Sequence, residues 1–110
     1  MVDPSVERSA RTYLRCLRDH GFPVRFGIVF GSQATARADN WSDIDFLVVS
    51  PRFDGPRDRK DIDLLWRLAA QTDSRIEPIP CGAMQWRDDT SSALVEIARR
   101  EGQAIGLEEG

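Results

Sequence analysis

A chain of 110 residues, 41% apolar and 30% charged, predicts one soluble domain that buries about two-thirds of its unfolded surface. Fifteen basic against eighteen acidic residues leave a net charge of -3, which disfavours a free-standing nucleic-acid binder, since phosphate neutralisation calls for a basic excess. Cys16 and Cys81 have no metal-ligand or disulfide-framework spacing, and there is neither a signal pattern at Met1-Val2-Asp3-Pro4 nor an apolar run of about 20 residues; free thiols and a cytoplasmic location follow as expectations.

Residues 5–20 carry Val6, Ala10, Tyr13, Leu14 and Leu17 at helical spacing, opened by Pro4 and closed by Gly21. The sole histidine, His20, falls at this helix end, where it suits the dipole and no histidine-based chemistry. The apolar run 24–30 predicts a buried strand that ends in Gly31. A short helix over 33–38 with Ser32 as N-cap and a turn at Asp39-Asn40-Trp41-Ser42 lead to a second strand over 43–49. The loop 50–59, with two prolines and a glycine, reads as a mobile surface segment next to that strand's site. Residues 61–71 put Ile62, Leu65, Leu68 and Ala69 on one face of a third helix, with Trp66 expected in packing. A short third strand over 74–80 and a last helix over 91–101 follow, with Arg87-Asp88-Asp89 as the capped start of that helix and 103–110 as a flexible tail. The alternation predicts an α/β fold: a small mixed sheet of at least three strands with helices packed on it, one domain over 1–110.

Two motifs carry the chemistry. Asp43 and Asp45, at i and i+2 of a strand, point to one face about 6.6 Å apart at the backbone and can aim two carboxylates at one spot. Such a pair suits two Mg²⁺ ions about 3.5 to 4 Å apart, the arrangement of in-line phosphoryl displacement. Gly31-Ser32 adds a close backbone approach and a hydroxyl at a helix start, a cradle for phosphates. Each motif alone is weak. Their combination, between two apolar strands, reads as a nucleoside-triphosphate site.

The stretch GSQATARADNWSDIDFLVV resembles the nucleotidyltransferases of the DNA polymerase β fold, and more closely the minimal nucleotidyltransferases (MNT), antitoxins of HEPN/MNT pairs. The resemblance implies that Gly31 and Ser32 hold the terminal phosphates of ATP, that Asp43 and Asp45 ligate two Mg²⁺ ions, and that a third acid from a later strand completes the first metal shell. Glu77, inside RIEPIP, is the candidate for that acid, as catalytic residue and metal ligand. The family more often has aspartate there, and Thr35 and Ala36 stand where arginine and glycine are common. The implied activity is transfer of AMP to a hydroxyl, a tyrosine of a HEPN-domain partner. A chain of this length leaves an acceptor-binding domain unaccounted for, and a partner protein is expected to supply the acceptor. The alternative is an idle nucleotide-binding module that neutralises its partner by docking.

Overall fold

A computed structural model describes residues 2–31, 43–89 and 92–107. Asp3 opens helix α1 (Pro4–Asp19) by accepting the Ser5 amide at 2.8 Å and the Ser5 hydroxyl at 2.7 Å, and Pro4 has no N–H to satisfy. Val6, Ala10, Tyr13, Leu14 and Leu17 are all buried, as their spacing predicts. Gly21, at φ +81°, takes the left-handed conformation that turns the chain towards β1 (Phe26–Phe30).

Strand β2 (Ile44–Ser50) is central. It runs antiparallel to β1, with Phe30 opposite Asp45, and parallel to β3 (Ile76–Gly82), with Asp45 opposite Glu77. Parallel neighbours need a crossover, and α2 (Arg59–Thr72), capped by the Asp58 carboxylate, provides it. Helices α3 (Ala83–Asp88) and α4 (Ala93–Glu101) precede β4 (Gln103–Ile105), which pairs antiparallel with β1 and completes the order β3-β2-β1-β4.

Both faces of the sheet are covered, so β2 is apolar on both. Val29, Ile44, Phe46, Val48, Ile76 and Ile105 pack under α1 and α2; Tyr13 stands edge-on to Phe46, and its hydroxyl donates to the Leu65 carbonyl at 2.9 Å. On the other face Ile28, Phe30, Leu47, Val49 and Cys81 meet Val95 and Ala98 of α4 and Trp86 of α3. Strand β3 forms one edge, and its Pro78 and Pro80 have no N–H for a further strand.

The structure departs from the sequence reading at four places. Residues 103–105, expected in a flexible tail, form β4. Three residues are too few to show alternation, and their place depends on β1, against which Gly102 fits only because it has no side chain to strike Ile28. Arg87 and Asp88 close α3 and do not start α4. This six-residue helix is held by distant groups: Asp54 accepts the Met84 amide at 2.9 Å, and the Arg99 guanidinium reaches the Gln85 carbonyl at 3.0 Å. Trp66 is 50% exposed, because α2 packs through Leu65, Leu68 and Ala69 and the indole lies off that stripe. The segment after Ser50 leaves the far end of β2, about 20 Å from the aspartates at 3.3 Å per residue, and anchors itself through buried Phe53 in a 3₁₀ turn (Pro51–Phe53). Ser32, the short helix read over 33–38, Thr35, Ala36, Asn40, Trp41 and Ser42 lie outside the described residues.

Candidate functional site

Asp43 stands exposed just before β2, and Asp45 is half-buried one residue into it. Alternation puts Asp45 on the face of Leu47 and Val49. The parallel register sets Glu77 of β3 beside Asp45, and the antiparallel register sets Phe30 of β1 on its other side. Phe30 hands the chain to Gly31, whose φ of +75° is left-handed and whose missing Cβ would run into the Asp45 carboxylate. Three strands thus bring Gly31, Asp43, Asp45 and Glu77 to one end of the sheet.

The electrostatics follow from that crowding. The Glu77 carboxyl is held above its ordinary range, first by desolvation, then by the negative charge of Asp43 and by hydrogen bonding and charge from Asp45. Neighbouring carboxylates disfavour one another's ionisation, and a bound cation relieves the conflict; the all-oxygen donor set is chemically suited to Mg²⁺. Among the described residues no three His, Cys, Asp or Glu side chains are already arranged as a metal-binding group. The acids share a neighbourhood and not a formed coordination shell.

A brace at the same end has no counterpart in the sequence reading. Asp73 caps α2, its amide donating to the Ala69 carbonyl at 2.9 Å. Its carboxylate takes the Arg75 amide at 3.0 Å and the Arg75 guanidinium at 3.1 and 2.8 Å. Those bonds, chiefly the guanidinium's, hold the Asp73 carboxyl down at about 2. The Arg75 carbonyl in turn accepts the Ile44 amide at 2.8 Å, tying the turn to the start of β2. Asp-any-Arg just past a helix end is the only local signal of such a brace.

A groove of about 370 Å³ lies at the opposite end of β2, lined by Arg25, Phe26, Pro51, Asp54, Met84 and Arg87 among others. It gathers no carboxylate cluster, so the acid end is the better candidate for phosphoryl chemistry.

A four-stranded mixed sheet in this order, with helices on both faces, is the architecture of a minimal nucleotidyltransferase. A family model for the nucleotidyltransferase domain matches residues 11–99, and the chain belongs to that family. The fold is shared with a toxin-antitoxin crystallised with AMP-PNP, at a TM-score of 0.60 and 22% identity over 91% of this chain and 73% of that one. It is also shared with a mutant of the toxin-antitoxin MntA-HpeT, at a TM-score of 0.59 and 20% identity over 89% and 72%. No curated protein matches the chain. No helix among the described residues is long and apolar enough to cross a membrane.

Proposed function

We propose that this nucleotidyltransferase is a Mg²⁺-dependent antitoxin of the cytoplasm that moves AMP from ATP to a tyrosine hydroxyl of a HEPN-type toxin. The observation that carries the reading is the Asp45–Glu77 register, which sets a third acid beside the aspartate pair, with Gly31 against Asp45 on its other side. The toxin and the nucleotide are suggested by the two similar structures, one a toxin-antitoxin with AMP-PNP and the other MntA-HpeT.

In this reading Asp43 and Asp45 would hold the two ions, Glu77 would hold the acceptor-side one, and Gly31 with Ser32 would cradle the β- and γ-phosphates. Bound Mg²⁺ would supply charge neutralisation of the phosphates and acidify the acceptor hydroxyl. The acceptor oxygen forms a bond to the α-phosphorus, the bond from that phosphorus to the bridging oxygen of the β-phosphate breaks, and pyrophosphate leaves with the electron pair. The hydroxyl proton would pass to a carboxylate, Glu77 in this reading. Positioning and electrostatics do most of the work, as in phosphoryl transfer generally.

Incubation with labelled ATP, Mg²⁺ and a HEPN-domain protein tests the reading against an Asp43→Asn/Asp45→Asn variant. Label on the toxin with the parent protein and none with the variant is expected; equal labelling by both would sink the enzyme. Mg²⁺-dependent protection by ATP is a second check, since ligand at 100 times its dissociation constant adds about 2.7 kcal/mol of stability.

A further inference from the structure

The groove at the far end of β2 takes no part in the chemistry proposed above, yet its lining is firmly held. Phe26, half-buried in it, meets Trp86 edge-on with the ring centres 5.9 Å apart. The Arg99 guanidinium fixes Trp86 in turn: it lies 5.4 Å from the centre of the indole ring and donates to the Gln85 carbonyl at 3.0 Å. Met84 also lines the groove and is 57% exposed, more than any other large apolar side chain among the described residues. Aromatic residues, methionine and arginine are the types that protein interfaces gather.

The charges around the groove are one-sided. Arg25 and Arg87 both line it and are exposed. Arg25 makes no ion pair among the described residues, and the side chains of the Arg87–Asp88 pair are 69% and 60% exposed, a contact that holds weakly and exchanges readily. Arg57 brings a third guanidinium close, donating to the side chain of Gln85, the residue after Met84, at 3.0 Å. The acid in the lining, Asp54, is already engaged by the Met84 amide at 2.9 Å.

We propose that this groove is the docking site for a protein partner and takes an apolar side chain flanked by carboxylates, the apolar group against Phe26 and Met84 and the acids against Arg25 and Arg87. Charge complementarity selects that occupant. Two or three cations beside an apolar lining, in a chain of net charge -3, are too few to neutralise a nucleic-acid backbone. The inference rests on the toxin partner proposed above, and it assigns docking and transfer to opposite ends of β2, about 20 Å apart at 3.3 Å per residue.

The experiment is calorimetric titration of the full chain with the HEPN-domain protein at about 0.05 and 0.3 M salt, with Mg²⁺-dependent ATP protection measured alongside. Arg25→Glu/Arg87→Glu should weaken binding at least about tenfold at the lower salt, since each reversal removes an attraction and adds a repulsion, while ATP protection stays as in the parent. Met84→Ser should weaken binding about fivefold through lost apolar burial. Arg8→Glu/Arg100→Glu makes the same change of net charge at exposed positions of α1 and α4, and should stay within about twofold of the parent. Unchanged binding in either groove variant would overturn the proposal and leave the toxin reading standing. Equal weakening by the two charge-reversed pairs would also overturn it, since overall charge and not the groove would then attract the partner. Loss of ATP protection in Arg25→Glu/Arg87→Glu would overturn it by making the groove part of the nucleotide site. If the parent does not bind the HEPN-domain protein, the toxin reading falls and this inference with it.

Discussion

The two ends of β2 are built on opposite principles. At the far end opposite charges and polar groups pair: Arg52 donates to Asp61 at 3.2 and 2.8 Å and lies 5.4 Å from the centre of the Phe22 ring. There Asp54 caps α3 through the Met84 amide, and buried Ser50 donates its hydroxyl to the Pro23 carbonyl. At the near end Asp43, Asp45 and Glu77 face one another, and Glu77 is held above its usual range first by desolvation and then by the two aspartates. Complementary pairs hold a fold together, whereas like charges gathered on a strand oppose folding and are tolerated where they serve something else. The difference separates the end that holds the fold together from the end proposed to carry the chemistry.

The largest change tests what the two ends share. Phe46→Ala removes a ring that lies between Tyr13 and Gly27 and should cost about 3–5 kcal/mol in urea unfolding. Both ends should then unfold in one transition, and two separate transitions would show that they are independent units. Asp61→Ala comes next. It leaves the half-exposed Arg52 without its carboxylate, and a loss of about 1–2 kcal/mol is expected, below the 3–5 seen for fully buried pairs.

The third test uses acid. The Asp73 carboxyl titrates at about 2 in the folded chain, below the ordinary 3.8, so its contribution is present above about pH 4 and is lost as the pH falls towards 2. After allowance for solvent screening it is on the order of 1 kcal/mol. Asp73→Asn should therefore show a flatter stability profile between about pH 4 and 2 than the parent. An unchanged profile would mean that the brace contributes nothing through charge. The smallest effect should have the opposite sign: Asp45→Asn relieves repulsion and should raise stability by up to about 0.5 kcal/mol while abolishing transfer. A loss comparable to that of Asp61→Ala would erase the contrast between the two ends.

Local patterns made much of this molecule readable from its sequence. The five buried residues of α1 repeat at helical spacing, and apolar runs end at Phe30 and follow Asp45 from Phe46 to Val49, so the elements that deliver Gly31, Asp43 and Asp45 were legible. Glu77 was legible as a strand residue, but its place beside Asp45 depends on a parallel register that no local signal encodes. The same limit applies to β4, which exists only against β1, and to α3, whose ends are held by Asp54 and Arg99 from elsewhere in the chain. The brace of Asp73 and Arg75 looks like two ordinary surface charges until the turn between them is folded.

The prolines of β3 bear on how the chain behaves in a crowd. An open sheet edge invites a neighbour to add a strand, the step by which folded domains begin to clump. Strand β3 is paired along its length with β2, so the positions where Pro78 and Pro80 lack an N–H fall on its open side. A second molecule aligning there would find donors missing at two alternate positions. The opposite edge, β4, offers only three residues. Among the described residues, both sheet edges are thereby poor templates for edge-to-edge pairing.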